Sequence, residues 1–162
     1  MQTFLTIPTT DFTKIAESLD RLRLNKQALE AWQLLMTNLS LDPDNNYRKP
    51  KAWYNHPAAV MWKGYEVSLY YYIKAMTDEW IKRGYKTTIL DKATETMETA
   101  QASGFILTSE FPYWMKNKKL YNDIVHTHRV ALLAKDYEWY SKFNWPEDTG
   151  KRPDEYNYIW YK

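Results

Sequence analysis

The chain has 162 residues, enough for one domain with a real core, and 44% are hydrophobic, so burial can offset chain entropy and wholesale disorder is excluded. The absence of cysteine rules out a disulfide frame, a thiolate zinc site, a cysteine nucleophile and a cysteine-held iron–sulfur cluster. The 22 Lys and Arg nearly balance 20 Asp and Glu, so a polyanion has to be gripped by a local patch rather than a global field.

A short extended N-terminus with Pro8 leads into a predicted helix from about Phe12, capped by Thr10 or Asp11, running through Asp20 to about Asn38. Its second part, DRLRLNKQALEAWQLL at 20–35, is amphipathic. Leu24, Ala28, Ala31 and Leu35 form an apolar stripe, and Arg23, Lys26, Gln27 and Glu30 gather on the other side. Two readings of that polar face stand. One is an i,i+4 Lys26–Glu30 ion pair worth a few tenths of a kcal/mol. The other is a glutamate set within a turn of a lysine, a glutamine and an arginine, able to act on an anionic substrate.

Residues 39–56 read as a long irregular stretch with Pro43, Asn45, Asn46 and Pro50. Loops of that length in a compact domain are usually functional or disordered. This one carries Arg48, Lys49 and Lys51 among Tyr47, Trp53 and Tyr54, either as a solvated charge run or as a functional patch. The clearest helix comes next, with Pro57 at its first position and Gly84 just past its end. Its stripe of Ala58, Met61, Trp62, Tyr65, Leu69, Tyr72, Ile73, Met76 and Trp80 is core. Residues 91–103 form a weaker helix stopped by Gly104, and a turn follows at Phe111 to Trp114. A third substantial helix runs from about Asn122 through Val130, Leu132 and Leu133 to Phe143, with a break near Asp136. The tail from Trp145 to Lys162 is rich in Tyr and Trp. With no repeat and no strand pattern, the expectation is an all-α fold. It is a single compact domain spanning 1–162, with about three main helices, long loops and an aromatic C-terminal tail.

No apolar run reaches the length of a membrane span, and the opening MQTFLTIPTTDF lacks a basic region followed by an apolar core; the expectation is a cytoplasmic chain with no membrane partner. Aromatic residues make up 17%, with 8 Trp and 14 Tyr. Most belong in the core, and those in loops beside basic residues suit stacking on bases.

Four blocks occur in order: RLNKQALEA at 23–31, NHPAAVMWKGYE at 55–66, EWIKRGY at 79–85 and HRVALLAKD at 128–136, before an aromatic C-terminus ending YIWYK. Together they resemble the pyrimidine-dimer DNA glycosylase family, the phage-type endonuclease V and its bacterial relatives. The likeness is closer to the bacterial branch, whose members also tend to begin MQTF. The resemblance implies an all-helical, monomeric enzyme with no metal and no cofactor. It would act on double-stranded DNA containing a pyrimidine dimer or a related damaged or modified base, as a glycosylase with a β-elimination lyase step at the abasic site. Its place would be the cytoplasm, on the nucleoid when bound to DNA, or a host cytoplasm if the source is viral. In the phage enzyme the N-terminal α-amine attacks the sugar C1′ and a glutamate on the first long helix assists. Glu30 falls at that glutamate, Arg23 at a position that approaches the lesion, and His56 where the family also has a histidine.

One departure matters. The phage enzyme loses its initiator methionine to expose a threonine amine, whereas residue 2 here is Gln, too large for the usual removal. The candidate nucleophile is then the α-amine of Met1. Lys26 is the substitute if Arg23 and partial burial favour its neutral form. Elementary acid–base chemistry favours an α-amine: roughly a quarter is neutral near pH 7.4, against about one part in a thousand for an ordinary lysine.

Contacts to DNA are expected from Arg23, Lys26 and Gln27 on the first long helix, from Arg48, Lys49 and Lys51 in the loop, from His56, and from Arg129 and Lys142 near the last helix. Tyr158, Trp160 and Tyr161 either stack near the lesion or pack over the first helix as a lid. His126 and His128 form an H-x-H pair, but on a helix such residues diverge by about 200°, which argues against a shared metal. His128 fits a hydrogen bond in the core or a place on the DNA groove. Two other functions stay open at this point: a DNA-binding module of the same fold without chemistry, and a metal-dependent nuclease built on the histidines.

Overall fold

Leu19 and Asp20 interrupt what periodicity predicts as one long helix. In the computed structural model, which describes residues 1–162, α1 spans Phe12–Ser18 and α2 spans Arg21–Leu39. Asp11 caps α1 by accepting the Thr13 N–H, and Asp20 caps α2 by accepting those of Leu22 and Arg23. Asp20 is buried and also accepts the Tyr140 O–H and the Arg23 guanidinium. A capping aspartate needs extended backbone, and Asp20 has it (φ −65°, ψ 162°), so the helix divides there.

The predicted 57–84 helix also divides. α3 spans Pro57–Trp62 and α4 spans Glu66–Lys82. Gly64 between them sits at φ +84°, a left-handed conformation that side chains disfavour, and the buried Glu66 carboxylate accepts its N–H. The apolar stripe survives the break: Ala58, Met61, Trp62, Leu69, Tyr72, Ile73 and Met76 are all buried. Tyr65 and Trp80 are only half-buried, Trp80 stacking on Tyr85 at 4.1 Å.

α5 spans Ile89–Ala102, and Gly104 beyond it has φ +92°. The expected turn at 111–114 tightens into α6, Tyr113–Lys116. α7 spans Lys118–Lys135, starting four residues before the predicted point because Asn117 caps it through the Lys119 and Leu120 N–H groups. Asp136 ends it as expected and caps α8, Tyr137–Tyr140. Four helices, α2, α4, α5 and α7, have 14 residues or more, rather than about three. There is no strand, only an isolated bridge between Leu41 and Tyr47 in the long loop, and the tail from 144 to 162 is irregular. The chain is a single compact all-α domain. None of its helices is long and apolar enough to cross a membrane.

α2 packs chiefly on α4, with α3 and α5 beside it. Arg83 ties the end of α4 to α1: its guanidinium pairs with Glu79 at 2.9 Å and donates to the carbonyl of Leu19 at 2.8 Å and to that of Glu17. The last carbonyls of α1 thus gain partners that the helix cannot supply.

The first residues are the unusual part of the fold. Residues 2–6 are buried, yet form no backbone–backbone hydrogen bond of their own. Buried backbone groups have to be satisfied somewhere, and here side chains do it. The N–H groups of Gln2, Phe4 and Leu5 donate to Glu30, Gln27 and His128, and that of Thr3 to the Gln2 amide. The carbonyl of Phe4 accepts the Tyr72 O–H, and that of Thr6 accepts from Arg129. The N-terminal segment is therefore held by α2, α4 and α7 together.

Candidate active site

This clamp delivers Met1 and Glu30 to one cleft of about 310 Å³. Arg23, Lys26, Gln27 and Glu30 of α2 form one wall. Lys135 from the end of α7 and Tyr156 and Tyr158 from the tail form another. The polar face inferred from helical spacing thus lines a concave cleft. The Lys26–Glu30 ion pair is not formed: Lys26 is exposed, and the half-buried Glu30 turns to the backbone of Gln2, whose N–H donates to Oε2 at 3.2 Å. The Met1 nitrogen is one residue's backbone away from that N–H, so it lies within about 7 Å of the carboxylate.

Met1 also lines a second cleft of about 440 Å³ on its other flank, with Trp32, Met36, Trp53 and Arg48 around it. Of the three loop cations, Arg48 reaches this cleft, while Lys49 and Lys51 stand exposed farther along the loop. His56 lies near Met1 as well. Its Nδ1 accepts the Ala58 N–H at 3.2 Å as the cap of α3, which puts the proton of the neutral ring on Nε2. The ring rests against Trp53 at 4.7 Å and meets Trp160 edge-on at 6.0 Å. Desolvation, and then the positive charge of the α-amine, hold the His56 imidazolium below its ordinary range.

Several residues expected at the DNA surface do other work. Gln27 is only 1% exposed, and its amide oxygen accepts the Phe4 N–H at 2.7 Å. Arg129 is a structural cation: Nε donates to the Thr6 carbonyl at 2.8 Å, the guanidinium lies 3.5 Å from the buried Glu147 carboxylate, and it covers the Trp145 ring. Arg23 does line the cleft, but its charge is shared between Asp20 at 3.2 Å and Asp136 at 4.0 Å. Lys142 is exposed over the Trp139 ring and lines neither cleft.

The tail packs along α7, and its Tyr156 and Tyr158 face α2 across the cleft. The Ile159 N–H donates to Thr127 and the Tyr161 O–H to Asp123. Tyr158 meets His128 edge-on at 5.6 Å and lies 6.4 Å from the Phe4 ring. Burial first, then Tyr156 and the negative charge of Glu30, push the Tyr158 phenol up, so it keeps its proton. His128 is fully buried, accepts the Leu5 N–H through Nδ1 at 2.9 Å, and is held neutral by desolvation to about 3. His126 points outward to Glu147, so the two histidines do not converge.

Lys135 and Tyr156 were not anticipated. The lysine Nζ donates to the Tyr156 hydroxyl at 2.9 Å and sits 5.0 Å from its ring. A spacing of seven from His128 puts Lys135 on the same face of α7, the one signal that pointed to it.

A family model described as pyrimidine dimer DNA glycosylase matches residues 1–93 of the 162. The chain belongs to that family. It is accordingly a DNA repair enzyme, a glycosylase with DNA as its substrate. The match contains Met1, the α2 wall, the basic loop and His56, and it ends inside α5. The cleft therefore takes one wall from the matched part and the other, Lys135 with Tyr156 and Tyr158, from residues beyond it. No curated protein and no solved structure matches the chain.

Proposed function

We propose that the enzyme is bifunctional, removing a pyrimidine-dimer or related damaged base and then cleaving the strand by β-elimination through an amine-linked sugar. The observation that carries this reading is the meeting of Met1 and Glu30 at one cleft, with Gln2 N–H on the Glu30 carboxylate at 3.2 Å.

The neutral Met1 amine attacks C1′ of the damaged nucleotide, and the glycosidic C–N bond breaks with its electron pair leaving on the base. Transfer of one amine proton to the ring oxygen as the C1′–O4′ bond breaks gives a cationic imine and a 4′-hydroxyl. That cation is the electron sink for removal of the C2′ proton, after which the 3′ C–O bond breaks and the phosphate departs; water then releases the amine. In this reading Glu30 stabilises the cation and shuttles the proton. An amine locked in an ion pair is a poor nucleophile, and Glu30 instead holds the neighbouring N–H. The exposed Lys26 and the loop cations Arg48, Lys49 and Lys51 supply phosphate contacts, and the tail aromatics supply a face for an unstacked base. Lys26 is the alternative nucleophile, on the same wall.

Borohydride reduction during reaction with an ultraviolet-irradiated duplex, and with an abasic duplex, tests the reading. A covalent adduct and strand cleavage with both are expected. Binding without adduct or cleavage on either would overturn the amine-linked lyase step, and binding without base release as well would make the chain a DNA-binding module instead.

A further inference from the structure

We propose that Gln27 is a positioning residue for the Met1 amine, acting through Phe4, and not a contact to DNA; this rests on the amine mechanism above. Gln27 and Glu30 are three apart on α2, so their side chains are neighbours on one face of the helix. They present two acceptors to two N–H groups that are two residues apart. Gln27 takes Phe4 at 2.7 Å and Glu30 takes Gln2 at 3.2 Å. The N-terminal segment thus runs antiparallel to α2 and carries Met1 past Glu30 toward Trp32 and Met36, where it lines the second cleft.

Nothing in that pairing of acceptors fixes the register by itself. A slip of two residues would put Phe4 on Glu30 and displace Met1 by about 6–7 Å. Tyr72 prevents it. Its hydroxyl, fully buried, lies 2.8 Å from the Phe4 carbonyl and 2.7 Å from Gln27 Oε1, sharing one proton between them. Both backbone polar groups of Phe4 are therefore tied to the Gln27–Tyr72 pair. Glu30, whose contact is the longer and whose side chain is half-buried, does not have to hold the register and keeps its carboxylate for the reaction. Burial of Gln27 and commitment of its oxygen leave it poorly placed for a phosphate.

The test compares wild type with Gln27→Leu, which removes the acceptor, Gln27→Glu, which keeps one, and Tyr72→Phe, which removes the bridging hydroxyl. Borohydride trapping on an abasic duplex is followed at saturating DNA, with affinity measured separately by fluorescence anisotropy. Gln27→Leu should trap at least about tenfold more slowly with affinity within about twofold, as a misplaced nucleophile does. Gln27→Glu should trap within about threefold of wild type, and Tyr72→Phe should be slowed by about two- to fivefold at unchanged affinity. Reductive methylation of the Met1 amine by formaldehyde, which needs no positioning, should proceed at the wild-type rate in every variant. Unchanged trapping in Gln27→Leu, or a loss of affinity alone, would overturn the assignment. Should Gln27→Leu fail to fold, unchanged trapping by Tyr72→Phe would do the same. A wild-type protein that forms no adduct refutes the amine mechanism itself, a separate result.

Discussion

Glu30 holds one backbone N–H and faces an open cleft, so its charge is available to a substrate. Replacing it with Gln preserves an acceptor for Gln2 while removing the acid. Glu30→Gln is therefore expected to lower single-turnover strand cleavage by about 10²–10⁴-fold, the usual range for losing an acid–base group. DNA affinity should hold or rise, since a negative charge leaves a polyanion site; cleavage near the wild-type rate would count against the role. His128 gives a second residue-scale prediction. Burial holds its folded-state ionisation near 3, far below the ordinary 6.5, so below pH 6.5 the unfolded chain takes up a proton that the folded chain refuses. The stability His128 contributes is complete above pH 6.5 and lost as pH falls, by about 1.4 kcal/mol per unit. Chemical denaturation from pH 6.5 to 4.5 should show a shallower pH slope in His128→Gln than in wild type; equal slopes would exclude it. Glu30 was legible in the sequence because helical spacing alone puts it on a polar face. The tasks of Gln27 and Arg129 were not, because their partners are the backbones of Phe4 and Thr6, and a backbone N–H or C=O leaves no mark in a sequence.

At the scale of elements, punctuation was easier to read than interruption. Pro57 and Gly84 marked their helix boundaries, and Asp136 its break, because each residue type acts locally. The breaks at Asp20 and Gly64 were hidden because apolar periodicity runs through both. Asp20 shows its role only through Tyr140, 120 positions away. Gly64 is the more direct to test. A Cβ there would meet nothing within 4 Å, so the cost of Gly64→Ala is that of the left-handed backbone alone. A loss of about 1–2 kcal/mol is expected in urea denaturation. No loss would mean that the α3–α4 turn does not require this conformation.

For the whole molecule, a net charge of +2 leaves DNA attraction to a few local cations. Lys49 and Lys51 are exposed on the loop beside the second cleft, whereas Arg129 is occupied by Thr6 and Glu147. The double variant Lys49→Ala, Lys51→Ala should reduce the slope of log affinity against log salt by about 2, and Arg129→Ala should leave it unchanged. A slope unaffected by the double variant would remove the loop from the DNA surface. The all-α class was readable from periodicity, but the shape of the site was not, because its second wall comes from an irregular tail folded along α7.

The central claim is that an amine at the start of the chain and the carboxylate of residue 30 work as one unit, and proteolysis of the reduced covalent adduct followed by mass spectrometry tests it most directly. The sugar fragment is expected on the peptide that begins at Met1. Attachment to Lys26, or to any other lysine, would contradict it.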